Sequence, residues 1–265
     1  MNRRTLLKST LGLYAYTRIA PSVFAQNSEA RWDEASQLYG NAWDVLPRAA
    51  DGEIAIVTSG FATESSLFGS NQIFGGVIHN NTDEPAVLLK IDIPGVAERT
   101  QLVLTQSTVQ PHGYGLVKGI IEADSELTID PTTITPLFVA PDKVSDALED
   151  DHFKTIHPES VYQTLPVQIN AFERTGTSDW TENFSANMTN PTTDKEMDSL
   201  AEGIIIWFDT EGKLVIEEGF TAKWSDDYEP LVSGETWDKV LSLDLRHVDA
   251  TSLFLVGMRI ATYPG

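Results

Sequence analysis

Apolar and polar residues alternate along much of this 265-residue chain, and a period of two residues predicts β-strands. In AVLLKIDI, Val87, Leu89, Ile91 and Ile93 fall on one face of such a strand, with Lys90 and Asp92 on the other. Similar short apolar runs recur between turn residues in EIAIVTS, IFGGVIHNN, TQLVLTQ, YGLVKGIIEA, ELTI, TPLFVAP, PVQINAFE, NFSANMTN, GIIIWFD, KLVIEEG, FTAKWS, WDKVLSLDL and SLFLVGMRIATYP. Strands at this spacing predict an all-β chain built as β-sandwiches.

Two blocks of predicted strands are separated by a segment of different composition. We predict a first β-sandwich domain over residues 51–141 and a second over residues 165–265. Between them, residues 142–164 contain helix-forming residues after Pro141, which predicts a short helical linker. Ahead of both blocks, residues 26–50 have a loose helical spacing that indicates a short helix or an N-terminal stalk.

The two blocks look like weak copies of each other. In each, a strand ends at an asparagine-rich turn, an apolar strand follows, and a turn with Pro or Gly precedes a further strand. Residues 80–83 form one predicted turn, and residues 209–212 form a hairpin turn that ends in glycine. The pattern fits an internal duplication, although two unrelated β-domains would give a similar one.

The second block contains IIWFD at 205–209 followed by TEGKLV at 210–215, the NMTN turn at 187–190, and the LVSGET turn at 231–236. Together these motifs resemble the FxLYD family of immunoglobulin-like domains. In the first block, LKID at 89–92 keeps the aspartate and lacks the aromatic residue. The resemblance implies two immunoglobulin-like β-sandwich domains that act as extracytoplasmic interaction modules without catalysis.

Residues 1–25 resemble a twin-arginine export signal. A basic start precedes a moderately apolar stretch and small residues at 23 and 25, which predicts an N-terminal signal helix cleaved after Ala25. The matching positions are Arg3, Arg4, Leu6, Leu7 and Lys8. An ordinary secretory signal and a membrane-surface helix are the alternatives. The resemblance implies recognition by an export machinery and a mature protein that is soluble in the periplasm or outside the cell.

Charge and cysteine content exclude several classes of function. The chain has a net charge of −21, and loss of the four basic residues of the signal leaves 14 basic against 39 acidic residues, a net charge of −25. Such a surface repels nucleic acids and anionic lipids. The absence of cysteine excludes disulfides, thiolate metal sites and iron–sulfur clusters. After the signal, no stretch has the roughly 18 apolar residues of a transmembrane helix.

Polar clusters offer weak candidates for chemistry. His112, His152 and His157 lie near acids or turns, but the five-residue spacing of the last two does not place them on one helix face. Residues 209–212 lack the later oxygen ligands of a calcium loop, so a turn is favoured. A hydrolase would need paired carboxylates at a suitable distance. The candidates are Asp226, Asp227 and Glu229. We expect no catalytic residue, no metal and no cofactor.

Tryptophans of the second block are candidates for a carbohydrate-binding module, since an exposed indole can stack on a sugar ring. These candidates are Trp180, Trp207 and Trp224. Core packing is the favoured alternative, as for Trp237, which shares a predicted strand face with Leu241. Asn80, Asn183 and Asn187 begin glycan acceptor motifs, which matter only if the source glycosylates exported proteins.

The expected function is therefore a non-enzymatic binding or structural module of the cell exterior. An envelope protein or polysaccharide is the expected partner, and nucleic acid is excluded. A carbohydrate-binding module that uses exposed tryptophans and a hydrolase with scattered carboxylates are the alternatives.

Overall fold

The structure is a computed structural model, and it describes residues 29–66, 69–92, 100–104, 108–122, 134–144, 164–177, 182–192, 200–223, 232–243 and 253–261. The predicted signal and residues 145–163 of the predicted linker lie outside these ranges. Within them, β-strands are accompanied by a three-residue 3₁₀ helix at Pro141–Lys143. The all-β prediction is confirmed. The described residues contain no helix with the length and apolar character needed to cross a membrane.

The described residues form fifteen strands. They are β1 Arg31–Asp33, β2 Leu38–Gly40, β3 Ile54–Ser66, β4 Gly69–Asn80, β5 Val87–Asp92, β6 Thr100–Leu104, β7 Tyr114–Glu122, β8 Thr135–Val139, β9 Thr164–Pro166, β10 Gln168–Thr177, β11 Glu182–Thr189, β12 Leu200–Phe208, β13 Leu214–Lys223, β14 Thr236–Leu243 and β15 Leu253–Ala261. KLVIEEG and FTAKWS, predicted as two strands, contribute to the single strand β13.

The strands form four antiparallel sheets. In the N-terminal half, an inner sheet has the order β3-β4-β7-β6, and an outer sheet pairs β5 with β8. In the C-terminal half, an inner sheet has the order β1-β2-β15-β12-β13, with β9 also paired to β15. The outer sheet of this half has the order β10-β11-β14.

Three apolar clusters show that the four sheets stack face to face. The C-terminal cluster lies between the two sheets of the C-terminal half and contains Phe184 and Trp207. The middle cluster lies between the two inner sheets and joins Leu116 to Ile206. The N-terminal cluster, which contains Phe74, lies between the two sheets of the N-terminal half. Each inner sheet is therefore covered on both faces.

Burial on both faces explains the apolar run GIIIWF in β12. Ile204, Ile206 and Phe208 pack in the middle cluster. Ile205 and Trp207 pack in the C-terminal cluster on the other side of the sheet. A strand with one solvent-facing side would alternate apolar and polar residues, whereas a strand covered on both sides favours a continuous apolar run.

The two halves repeat one pairing order. The pairs β3-β4-β7 and β5-β8 of the first half correspond to β10-β11-β14 and β12-β15 of the second, a constant shift of seven strands. One strand differs, because β6 pairs with β7 whereas β13 pairs with β12. The likeness between the two sequence blocks therefore extends to their strand topology.

An equivalent asparagine forms a corner in each half, at the end of β4 and directly after β11. The side chains of Asn80 and Asn190 are both fully buried. The backbone N–H and the hydroxyl of Thr82 donate to Asn80 Oδ1 at 3.1 and 2.7 Å. Thr192 makes the same two bonds to Asn190 Oδ1, at 3.0 and 2.7 Å. A short amide side chain readily satisfies nearby backbone groups in turns, so these asparagines are structural.

The short helix or stalk predicted for residues 26–50 is wrong over the part that the structure describes. β1 and β2 form a hairpin, here called the N-terminal hairpin, and β2 pairs with β15 in the inner C-terminal sheet. Leu38 packs in the middle cluster, and Tyr39 packs in the C-terminal cluster. A strand sends successive side chains to opposite faces, so it can fill both clusters where a helix could not.

The strap, defined as residues 41–53, connects the N-terminal hairpin to β3 and is bonded to both halves. The Asn41 N–H donates to Phe254 O at 3.1 Å, and Asn41 Oδ1 accepts from the Phe254 N–H at 2.9 Å. Farther along, Asn81 Nδ2 donates to Ala49 O at 2.9 Å. The segment that follows the predicted signal is thus an integral part of the fold.

Strand β5 departs from its predicted alternation. Val87, Leu89 and Ile91 are predicted to share a face, but Leu88 and Ile91 pack in the N-terminal cluster together. The register with β8 shifts between Leu88 and Lys90. This β-bulge inserts an extra residue, so the alternation changes phase within the strand.

Candidate functional site

The tryptophans predicted as sugar-stacking residues do not form an exposed site in the described part of the chain. The Trp207 ring is buried, 5.8 Å from that of Phe184 and 5.5 Å from that of Phe254. A ring enclosed in this way cannot stack on a ligand, and for Trp207 the structure agrees with core packing, the favoured alternative. Trp180 and Trp224 lie outside the described residues.

Of the histidine and carboxylate candidates, the structure describes His112 and the turn at 209–212. Over the described ranges, no three His, Asp or Glu side chains converge to hold a metal ion. His112 lies on an exposed turn, with Nε2 3.3 Å from Asp83 Oδ1. Asp209 Oδ1 accepts from the N–H groups of Glu211 and Lys213, both at 2.9 Å, and thereby forms the predicted hairpin turn. His152, His157, Asp226, Asp227 and Glu229 lie outside the described residues.

The outer C-terminal sheet presents a continuous polar surface, here called the polar face. On β11, Phe184, Ala186 and Met188 point into the C-terminal cluster, so the residues between them point outward. The outward positions are Gln168, Asn170 and Glu173 on β10, Asn183, Ser185, Asn187 and Thr189 on β11, and Thr236, Asp238, Val240 and Ser242 on β14. Apart from Val240, these positions carry amides, hydroxyls and two carboxylates, with no basic residue among them.

Side-chain hydrogen bonds cross all three strands of the polar face. Asn170 Nδ2 donates to Asn187 Oδ1 and to Thr189 Oγ1, both at 2.8 Å. Asn187 Nδ2 donates in turn to Asp238 Oδ1 at 2.6 Å, and the hydroxyls of Thr189 and Thr236 lie 3.0 Å apart. Such cross-strand pairs contribute roughly 0.2–1 kcal/mol each. They also hold the amides and hydroxyls in fixed orientations.

Further side-chain hydrogen bonds lie toward both ends of the sheet. Gln168 Nε2 donates to Asn170 Oδ1 at 3.0 Å, and Ser242 Oγ donates to Asn183 Oδ1 at 2.6 Å. An array of groups that is ordered before binding loses less side-chain entropy when a partner arrives. The polar face is therefore suited to non-covalent recognition through hydrogen bonds.

The glycan acceptor motifs fall into two structural classes. Asn183 and Asn187 lie on the polar face, where solvent reaches them. Asn80 is fully buried, and its Nδ2 donates to Glu84 O at 2.8 Å and to Val109 O at 3.0 Å. Attachment of a sugar to Asn80 would break this corner, so the fold disfavours modification there.

The outer N-terminal sheet differs from the outer C-terminal sheet. Val87, Leu88 and Leu89 on β5 are successive residues, and all three are buried. Leu88 packs inward in the N-terminal cluster, and burial of the residues on either side of it confines the polar side chains of β5 to Lys90 and Asp92, which form an ion pair at 2.8 Å. Over the described residues, the exposed hydrogen-bonded network is a property of the C-terminal end of the stack.

A buried histidine under the strap is a residue that the sequence analysis does not single out. His79 Nδ1 accepts a hydrogen bond from the Ala49 N–H at 3.0 Å, and its ring centroid lies 4.4 Å from that of Tyr114. Burial lowers the pKa of His79, and the positive charges of Arg48 and His112 lower it further. Nδ1 accepts only when it is unprotonated, so the neutral ring holds the strap. Its place at the end of the apolar run FGGVIH could have indicated this burial.

Comparison with known proteins gives no relative, since no family model, no curated protein and no solved structure matches the chain. The interpretation of the polar face therefore rests on its own chemistry. Its amides, hydroxyls and carboxylates are oriented by one another and remain at the surface. This arrangement favours binding of a polar partner.

Proposed function

We propose that this protein is an exported, non-enzymatic binding or structural module of the cell exterior, with the polar face as its contact surface. The observation that carries the proposal is the network that joins Asn170, Asn187 and Asp238 across three strands. A solvated face can leave its side chains unordered, whereas a recognition surface gains affinity from groups that are ordered beforehand. The twin-arginine-like signal at 1–25 supports the exterior location.

We also propose that each half is an immunoglobulin-like sandwich. Constant-type immunoglobulin domains have strands A, B, E and D in one sheet and C, F and G in the other. The order β3-β4-β7-β6 with β5-β8 fits A-B-E-D with C-F. In the C-terminal half, β10-β11-β14 fits A-B-E, β12-β15 fits C-F, and β2 takes the place of G beside β15. This correspondence supports the resemblance to FxLYD domains.

An envelope polysaccharide is the partner that suits the polar face best. Sugar hydroxyls both donate and accept hydrogen bonds, as do the amides and hydroxyls of the face. Glu173 and Asp238 can accept hydrogen bonds from a sugar, and their charge repels phosphate-rich polymers. The apolar residues at outward positions are Val240, with 60% of it exposed, and Ala171, which is paired with Asn187, and they offer too little apolar area to anchor a protein partner.

Binding measurements on residues 26–265 test this function against a panel of neutral and acidic envelope polysaccharides. We expect the double variant Asn187→Ala, Asp238→Ala to bind about tenfold more weakly, because it removes the centre of the network. Glu211→Gln, a change on the exposed β12–β13 turn, is the control and should bind normally. Unchanged binding by the double variant would assign the contact to another surface. Absence of binding to the whole panel would contradict the polysaccharide assignment.

Export is tested separately in a host that has the twin-arginine route. With Arg3→Lys and Arg4→Lys together, we expect the uncleaved precursor to accumulate in the cytoplasm, because the route reads the arginine pair as an address. Cell fractionation followed by blotting gives the distribution. Normal secretion of the double variant would assign the signal to the ordinary secretory route.

A further inference from the structure

A cleft with mixed chemistry lies at the edge of the inner C-terminal sheet, away from the polar face. Its volume is about 310 Å³, and it is lined by Glu29, Ala30, Arg31, Trp43 and Asp44. Small-molecule sites in proteins have volumes of roughly 300–1,000 Å³. The cleft is therefore large enough for a small ligand and too small to enclose a polymer.

The cleft arises from the alternation of the N-terminal hairpin. Ala30 and Trp32 pack against the C-terminal cluster, so Glu29 and Arg31 project from the opposite face of the chain. Arg31 is paired with Gly40 on β2. Gly40 has no side chain, and any side chain there would collide with a carbonyl oxygen of β15. The backbone of β15 thus packs closely against β2 at Gly40, and Glu29 and Arg31 line the cleft beside this part of the sheet.

Trp43 forms a fixed wall of the cleft. Its Nε1 donates to Gly40 O at 2.7 Å, and its ring lies 6.4 Å from that of Tyr114 with an interplanar angle of 58°. The Trp43 side chain is partly buried and packs against the middle cluster. An aromatic ring held by a hydrogen bond and by packing needs little reorganisation to receive a ligand.

We propose that this cleft binds a small zwitterion that carries an alkylated ammonium group and a carboxylate. The face of Trp43 attracts the cation, since indole is the strongest aromatic partner for an ammonium group. The carboxylates of Glu29 and Asp44 add opposite charge at the rim. The guanidinium of Arg31 supplies the complementary group for the ligand carboxylate, which arginine binds through two parallel hydrogen bonds.

The combination of groups distinguishes this ligand from other classes. A simple anion would meet two carboxylates and one guanidinium, and a simple cation would leave Arg31 without a role in binding. A neutral sugar could stack on Trp43 but would gain little from the opposite charges. The site shares no residue with the polar face, so the proposal holds or fails independently of the proposed function.

Isothermal titration of residues 26–265 with glycine betaine tests the proposal, with tetramethylammonium and acetate as the two half-ligands. We expect betaine to bind with a dissociation constant on the order of 1 mM and each half-ligand to bind at least about fivefold more weakly. Trp43→Leu should weaken betaine binding about tenfold, as expected for loss of a cation–π contact. Arg31→Gln should weaken betaine about fivefold and leave tetramethylammonium unchanged.

Glu29→Gln should weaken both betaine and tetramethylammonium, whereas Asp92→Asn on β5 of the outer N-terminal sheet should change neither. Circular dichroism checks that each variant is folded. If Trp43→Leu unfolds the chain, the exposed Arg31→Gln and Glu29→Gln variants still decide the outcome. Absence of saturable betaine binding by the folded protein overturns the proposal. Betaine binding that is indifferent to Arg31→Gln overturns the zwitterion assignment.

Discussion

The two halves of the molecule share a pairing order and differ in the strands that complete it. β6 joins the sheet of β3, β4 and β7, whereas its counterpart β13 joins the sheet of β12 and β15. β6 and β13 pair with strands that are not equivalent, yet each of them joins the inner sheet of its own half. The C-terminal half also gains β1 and β2 from the N-terminal hairpin in its inner sheet. Additional strands have thus widened the surface through which the halves meet.

Two glycines permit close packing around this contact. Leu214, the first residue of β13, packs against the middle cluster. A Cβ atom at Gly60 on β3 would lie 2.9 Å from the Leu214 side chain. At the neighbouring turn, any side chain at Gly212 would collide with Val45 O of the strap. The comparison therefore indicates that the halves form one unit, which can be tested by perturbing one half and observing the other.

The largest effect should follow from a charge in the middle cluster. Ile206 is fully buried there, and Ile206→Asp should destabilise the fold by about 4 kcal/mol or more, because it buries an unpaired carboxylate. Val215 on β13 is 60% exposed, so Val215→Asp is the matched control and should cost less than about 0.5 kcal/mol. Urea unfolding gives both values.

Two probes can show whether the halves unfold together. No tryptophan lies between residues 54 and 139, so tryptophan fluorescence reports on the N-terminal hairpin, the strap and the C-terminal half, while far-UV circular dichroism reports on both halves. We expect the two urea transitions to coincide in the unchanged protein, as in a two-state unit. Separate transitions would contradict the single-unit interpretation.

The next effect concerns the hairpin strand that distinguishes the C-terminal half. Gly40→Ala should cost about 2–4 kcal/mol, because the new methyl group would displace β2 from β15. Gly234 is a suitable control, because its φ is +73° and a Cβ there would have no atom within 4 Å. Gly234→Ala should cost about 1 kcal/mol from backbone strain alone. Equal losses in chemical denaturation would mean that close approach at Gly40 is unimportant.

A smaller effect should follow from removal of the corner asparagine that each half contains. Asn80→Ala and Asn190→Ala should each cost about 2 kcal/mol, because each removes a buried acceptor from a turn. The two losses should add in the double variant, since the corners lie in different halves. Thr210→Ala on the exposed hairpin turn should change the urea midpoint little. A large loss at one asparagine alone would show that the corners are not equivalent.

The sequence pattern could predict most strands and turns, because these depend on neighbouring residues. Asp209 and Gly212 identified a hairpin that the structure confirms, and Trp237 packs in the same cluster as Leu241, as their shared face predicted. The place of the N-terminal hairpin could not be predicted in this way. Asn41 bonds to Phe254, a partner 213 residues away, and no local spacing encodes that contact.

The stacking of the sheets and the candidate site were harder to predict, because both depend on which strands lie side by side. The apolar run around Ile205 identifies a buried strand but not which sheet covers each side. The alternation in NFSANMTN predicts one polar side, as Asn183 and Asn187 show. The partners of those side chains come from β10 and β14, so the network depends on strand order. Trp43 precedes the two strand blocks, in a segment predicted as a helix or stalk, so its place in the cleft was not predicted.

The smallest predicted effect is a pH dependence of stability that arises at one corner and not at the other, because different residues precede the two corner asparagines. His79 precedes Asn80, whereas Thr189, which does not titrate in this range, precedes Asn190. The pKa of His79 is lowered in the folded protein by burial and by Arg48 and His112, so below about pH 6.5 the unfolded chain binds a proton more readily than the folded chain. Stability should therefore fall as the pH drops from 6.5 toward the folded-state pKa, and it should be unaffected by this group above 6.5.

Replacement of the histidine by a neutral acceptor isolates this contribution. His79→Asn keeps a side-chain oxygen available to the Ala49 N–H, so the strap contact can persist without a titrating ring. Between pH 7.5 and 5.5, we expect the unchanged protein to lose on the order of 1 kcal/mol more stability than His79→Asn. His112→Asn, on the exposed turn, should keep most of the pH dependence. Parallel urea midpoints for the unchanged protein and His79→Asn across this range would show that His79 does not couple strap binding to pH, and the two corners would then respond alike to acid.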